Sequence, residues 1–282
     1  MESCLNAATL APDLPFASFV RIAGAAGFSA VEVRLGAVAE MARTMGIDGV
    51  KDFFTAAGVI PAHCGLSAAP IRSEEDYQAA LRLLPSECEL AQALGIRTAT
   101  LVLPYRSDQG ESDPERMVAK VREVARIASD YGLSVTLEFL GLHPPPDRRT
   151  RGPTTLGQTL EFIERVDRPH VGVLLDSYHW YLSGSHMDDL ERIPAGMPLF
   201  VHINDAPPGP VETLTDPMRV LPGDGVIDLV GWLRAVKRAT GYDGPVSLEL
   251  FNEEIRRLDP QIAAERCFRA VSRLLAAVDG TG

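Results

Sequence analysis

VGVLLDSYH, residues 171–179, is an unbroken apolar run that ends on a carboxylate, Asp176. A short β-branched and aliphatic run without polar alternation predicts a strand buried on both faces, as in a parallel sheet covered by helices. Three other runs repeat the design: VTLEFLG carries Glu138, LFVHINDA carries His202 and VSLELFN carries Glu249. They recur at roughly 25 to 45 residues, the length of one βα unit. Four successive parallel strands therefore aim Glu, Asp, His and Glu at a common point, a set that can hold a divalent cation and leave positions open for a substrate.

Strand-like runs also occur at 3–6, 30–35, 59–64, 98–103, 134–139, 171–175, 199–203 and 246–250. Between them, apolar residues recur every three or four positions at 16–26, 77–93, 114–131, 155–166, 229–240 and 260–277, which predicts helices. Gly27, Gly95, Gly132 and Gly241 follow such patterns closely, where a helix commonly ends on a left-handed residue. Eight strands alternating with helices predict an α/β fold, the (β/α)8 TIM barrel. No charge block or Ser/Gly linker interrupts the texture, so residues 1–282 are expected to form one domain. The long aperiodic stretches 141–153 and 206–225 follow strands five and seven. They lie at the carboxyl ends of the strands, where barrels of this kind keep their chemistry.

With 46% hydrophobic and 23% charged residues, the chain has the composition of a well-packed globular protein. A net charge of −11 opposes attraction to nucleic acid or anionic membrane, and a small neutral substrate fits better. Cys4, Cys64, Cys88 and Cys267 show no CxxC spacing. The amino terminus has neither a basic segment nor an apolar core of the secretory kind. A cytoplasmic protein with reduced thiols is expected, without membrane insertion, since no apolar run approaches the roughly 18 to 20 residues needed.

Each ligand candidate alone is more often a solvated cap or a loop anchor, but the four converge. Three carboxylates meeting one imidazole repel one another unless a cation is present; a divalent ion favours ionised carboxylates and neutral His. Mostly oxygen donors with one nitrogen suit Mn2+, Zn2+, Co2+ or Mg2+. His179, three residues after Asp176, is a candidate partner behind the ligands, proton carrier or substrate hydrogen-bond donor, against the plain alternative of a loop histidine with no role. Arg219, in RVLPGDGVID, can bind substrate oxygens with its planar fork or pair with a nearby acid. His63, at the end of strand three, is positioned to face the pocket.

In this order LEFLG, VGVLLDSYHWYLSG, HINDAP, RVLPGDGVIDL and GPVSLELFN resemble the xylose-isomerase-like TIM-barrel family of sugar isomerases and epimerases, most nearly its inosose isomerase branch. CLNAATL and VEVR near the start share the likeness. The resemblance implies that Glu138, Asp176, His202 and Glu249 bind one divalent metal and that Arg219 and His179 contact substrate. WYLSG stands where many ketose epimerases carry an acidic pair, which lowers the epimerase reading.

The chemistry that follows is isomerisation of a polyhydroxy ketone, an inosose or ketose, through a metal-chelated enediolate, with Glu138, Glu249 and His179 moving protons. The alternatives are a dehydratase acting on an inosose or a 3-dehydroshikimate-like compound, a ketose 3-epimerase, and a non-catalytic sugar-binding or partner subunit. Abasic-site endonucleases share the barrel but need extra His ligands, which LVLPY at strand four does not offer. A homo-oligomer is compatible with this reading.

Overall fold

The computed structural model of the chain describes residues 1–105, 113–143 and 152–280. Eight parallel strands, β1 (Glu2–Leu5), β2 (Ala30–Val33), β3 (Ile60–Gly65), β4 (Thr98–Val102), β5 (Ser134–Glu138), β6 (Val171–Asp176), β7 (Leu199–Ile203) and β8 (Pro245–Leu248), close in sequence order, with β8 pairing β1. The helices are α1 (Phe16–Ala26), α2 (Leu35–Ala57), α3 (Glu74–Ala93), α4 (Pro114–Ser129), α5 (Leu156–Val166), α6 (Ser177–Leu182), α7 (Leu229–Thr240), α8 (Glu253–Arg256) and α9 (Pro260–Asp279). The TIM barrel expected from the alternation of runs is the fold observed.

Strand alternation divides the core. Outward residues such as Val135, Leu137, Val173, Leu175, Val201 and Val246 join the large core between the strands and the helices. A small separate cluster of Cys4, Ala30, Leu174 and Phe200 forms the second apolar core. Residues of the same parity as these, one step toward the carboxyl end, are polar: Asn6, Glu32, Asp176 and His202. The period of two thus carries each inward side of a strand from packing to chemistry. Gly172 has that parity too, and it must stay bare, because a Cβ there would lie 1.8 Å from Pro198 O.

The glycine stops behave as expected. Gly27, Gly95, Gly132 and Gly241 have φ of 106°, 77°, 68° and 72°. Ser73, Asp113, Thr155 and Asp228 cap α3, α4, α5 and α7 through their side chains. The sequence reading omitted α2, a 23-residue helix interrupted at Gly46, where φ is 72° and ψ 167°. Three glycines, Gly36, Gly46 and Gly49, weaken its pattern. It also omitted α6 and α8, each shorter than two turns.

The stretch 206–225 folds back on the barrel through short 3₁₀ turns at Val211–Thr213 and Asp216–Met218 and an antiparallel bridge between Asp205 and Val220. The buried Asp205 carboxylate fixes this return by accepting from the backbone N–H groups of Gly223, Gly225 and Ile227 at 3.0, 3.1 and 2.9 Å. Residues 144–151 of the other expected loop lie outside the described residues. Among the described residues, no helix is long and apolar enough to cross a membrane.

Candidate metal centre

Glu138 is the last residue of β5, Asp176 the last of β6, His202 the fourth of β7, and Glu249 follows β8 directly, its N–H continuing the ladder to Ile203 O at 3.2 Å. The barrel brings one donor atom from each of these four within 4.8 Å of all the others. His202 Nδ1 is the pivot, 4.0 Å from Glu138 Oε1, 3.8 Å from Asp176 Oδ2 and 3.5 Å from Glu249 Oε2. Neither nitrogen of this buried ring has a hydrogen bond of good geometry among the described residues; Nδ1 faces the three carboxylates, and Nε2 has Glu32 Oε1 beside it at 2.9 Å. A buried polar atom left in this way is costly unless something fills the point it faces.

The charges say what that something is. Burial and the neighbouring Glu249 carboxylate push the Glu138 carboxyl well above its ordinary range. Burial acts in the same sense on Asp176 and Glu249. Arg219, together with smaller contributions from His179, His202 and the His179 N–H, more than offsets it for Asp176, and His202 with Arg219 does so for Glu249, leaving both below the usual range. Burial opposes a charge on His202, yet Glu32 and Glu249 reverse this and raise it well above an ordinary histidine. A proton on His202 and a raised Glu138 are how this cluster limits its negative charge on its own; a divalent cation at the same point answers both. The donor set therefore fits a metal ion, with Glu138, Asp176, His202 and Glu249 as its holders.

Three of the four ligands are braced. Asp176 Oδ1 caps α6 by accepting from Tyr178 N at 2.8 Å and His179 N at 3.1 Å, while Oδ2 accepts from Asn204 Nδ2 at 3.1 Å and Arg219 Nη1 at 3.0 Å. Glu249 accepts from Asn6 Nδ2 at 3.0 Å and from Arg219 Nη1 at 2.9 Å. Glu32 Oε1 lies 2.9 Å from His202 Nε2. The carboxyl of Glu138 has no hydrogen bond among the described residues; the nearest imidazole nitrogens, of His179 and His202, are each 4.0 Å away.

Arg219 is only 1% exposed. Besides Asp176 and Glu249 it donates to Asp216 Oδ1 at 2.6 Å, and its guanidinium lies over the rings of Tyr178 and Phe251. Its Nη2 is 3.0 Å from His179 Nε2. A guanidinium can only donate, so His179 Nε2 accepts and the ring proton sits on Nδ1. Burial lowers the His179 pKa, in keeping with a neutral ring.

A cavity of about 510 Å3 opens onto the centre, its wall including Asn6, Glu32, Thr100, Glu138, His202 and Glu249. Arg219 and His179 stand behind the ligands, outside the described wall of this cavity. His63 does not face the pocket, as its strand-end position had suggested. A register shift in β2–β3 pairing leaves both Ala62 and His63 against the barrel interior. There His63 stacks on Phe200 with centroids 3.8 Å apart, and its nitrogens meet Thr98 Oγ1 at 2.9 Å and Thr100 Oγ1 at 2.6 Å. Burial brings its pKa down to about 3, so it is a neutral structural residue of the barrel interior.

Sequence reasoning missed Glu32, Asn6, Asn204 and Asp216. Glu32 alone carried a local signal, a carboxylate between two valines in the middle of a strand run.

Eight parallel strands with Glu, Asp, His and Glu at the carboxyl ends of the last four define a (β/α)8 barrel around a cluster that could hold a metal ion. The chain belongs to the xylose isomerase-like TIM barrel family, whose sequence pattern matches residues 20–271. It is 31% identical to an inosose isomerase of Halalkalibacterium halodurans over 93% of this chain and 92% of that one. A xylose isomerase domain protein from Alicyclobacillus acidocaldarius superposes with a TM-score of 0.87 at 32% identity, covering 99% of this chain and 100% of the other. The crystal structure of the IOLI protein with a binding zinc atom superposes with a TM-score of 0.81 at 26% identity, covering 100% and 99%.

Proposed function

We propose that this protein is a divalent-metal-dependent isomerase of a polyhydroxy ketone, with an inosose as the substrate to test first. The observation that carries the reading is the convergence of three carboxylates on the unpartnered Nδ1 of His202 at the floor of a 510 Å3 cavity. The likeness to an inosose isomerase over nearly the whole chain supports the substrate class. The zinc of the IOLI neighbour supports an ion at this centre, and the donors here accept Zn2+, Mn2+, Co2+ or Mg2+. When bound, the ion supplies Lewis-acid polarisation of a ketone and its adjacent hydroxyl.

The chain's own residues divide the remaining work. Asn6 and Arg219 hold Glu249 as a fixed carboxylate, and Arg219 and Asn204 do the same for Asp176. Glu138, braced by no described hydrogen bond, can swing between adjacent carbons. Its Oε atoms are suited to removing the proton from one carbon and returning it at the next. His179 holds its proton on Nδ1 while Arg219 occupies Nε2, so a direct role for it requires that proton and not the Nε2 lone pair.

The test is isomerisation of inososes and free ketoses in D2O by the metal-loaded protein. Solvent deuterium is expected in the product at the carbon that gains hydrogen. Complete retention of substrate hydrogen together with undiminished turnover of Glu138→Gln contradicts the proton-transfer reading and indicates a hydride shift; loss of water from the substrate indicates a dehydratase.

A further inference from the structure

We infer that Glu32, which stands outside the four-ligand set, is the positioning residue of His202: it holds the Nε2 proton and so turns the Nδ1 lone pair toward the point where Glu138, Asp176 and Glu249 meet. The inference rests on reading those four residues as one cation site. Glu32 lies in β2 and His202 in β7, strands that are not neighbours, so their contact crosses the barrel interior. Glu32 Oε1 is 2.9 Å from Nε2, the nitrogen on the far side of the ring from the three carboxylates, a close ionic contact that a small turn of the ring would align into a hydrogen bond. That placement separates Glu32 from a fifth ligand, which would gather at Nδ1 with the others.

The carboxylate is held for this one task. Its Oε1 also accepts from Ser247 Oγ at 2.5 Å and from Asn6 Nδ2 at 3.0 Å. The second N–H of the same Asn6 amide reaches Glu249 Oε1 at 3.0 Å, so one side chain sets the distance between the positioning carboxylate and a ligand carboxylate. Phe200 meets the His202 ring edge-on, 5.7 Å between centroids and 80° between planes, and limits its rotation from below. An imidazole presents one lone pair only when its other nitrogen carries the proton. An anionic acceptor at Nε2 selects that tautomer and makes Nδ1 a stronger donor.

Two substitutions separate charge from orientation. Glu32→Gln keeps an oxygen acceptor in place without the charge and is expected to weaken Co2+ binding about 10-fold, whereas Glu32→Ala also frees the ring and should weaken it about 100-fold. Both are read by titrating metal-free full-length protein with Co2+ and following its d–d absorption, with thermal melts confirming the fold. No substrate is present, so failure of the isomerase reading leaves this result untouched. The wild-type protein gives a second readout that does not depend on any variant folding. With 15N-histidine labelling and 113Cd2+, coupling is expected to Nδ1 of His202 while Nε2 keeps its hydrogen. Coupling through Nε2 overturns the inference, as does Co2+ affinity within about threefold of wild type in both variants, well short of the loss typical for such partners. A wild-type protein that binds no Co2+ overturns the inference together with the cation site beneath it.

Discussion

Glu138→Gln is expected to lower kcat for an accepted polyhydroxy ketone by about 10²- to 10⁴-fold, the usual scale of lost general acid–base help, while the folded state persists. The fold persists because no described hydrogen bond to the Glu138 carboxyl is lost, and the substitution removes a carboxyl whose ionisation burial and Glu249 already oppose. Glu249→Gln is expected to match it in activity but not in stability, since Glu249 balances Arg219 and accepts from Asn6. Steady-state kinetics beside urea denaturation of both variants reads the difference. A Glu138→Gln protein that retains more than about a tenth of wild-type turnover falls outside the range for a catalytic acid–base residue and contradicts this role.

Arg219→Ala is expected to cost about 3–5 kcal/mol of folding stability, the loss typical of removing one partner from a buried ionic cluster. Asp176, Asp216 and Glu249 all lie within 3.0 Å of the guanidinium, and the two ligand carboxylates are left with no other cationic side chain in contact among the described residues except His202. Desolvation opposes charge on Arg219, but these three carboxylates more than reverse that and raise its pKa. Divalent metal should restore part of the loss, about 2.7 kcal/mol at a hundred times the dissociation constant. Arg219→Lys is expected to rescue poorly, because a single ammonium cannot span Asp176, Asp216 and Glu249 with planar geometry. Urea midpoints with and without MnCl2 provide the measurement. A loss below about 1 kcal/mol, within the range of an exposed ion pair, accompanied by a raised KM, would return Arg219 to direct substrate contact.

Much of the barrel was legible because its signals are local. Continuous apolar runs announced strands buried on both faces, and Gly27, Gly95, Gly132 and Gly241 marked helix ends by the left-handed backbone they adopt. The ligand candidates were legible for a related reason: in LEF, LLD, FVH and SLEL the polar residue takes the inward parity at the carboxyl end of its strand. What stayed hidden depends on closure. Glu32 shows its meaning only when β2 and β7 face each other across the interior. His63 is turned by a register shift that no pattern in its own strand reveals. Arg219 reaches the back of the ligands because the Asp205–Val220 bridge folds its loop inward, and Asp205 is separated from the glycines it clamps by most of that loop. Helix α2 was lost to three glycines that local propensity counts as breaks, although packing of Val38, Val50 and Phe54 in the core outweighs them.

The preference among substrates also turns on Arg219. With that guanidinium engaged by Asp176, Asp216 and Glu249, it has little to offer a phosphate, and Arg72 at the cavity wall already donates through Nε to Ser67 O. The carboxylate-rich floor favours a neutral polyhydroxy ketone on the same ground. Arg148, Arg149 and Arg151 lie outside the described residues.

The central claim is that one divalent ion sits among four side chains from β5, β6, β7 and the end of β8. Crystals of the protein grown with Mn2+ or Zn2+, with data collected on both sides of the metal absorption edge, test it directly. One anomalous peak is expected within about 2.0–2.5 Å of Glu138, Asp176, His202 Nδ1 and Glu249 together. A peak elsewhere, or one that leaves two or more of these four side chains beyond coordinating distance, contradicts the account.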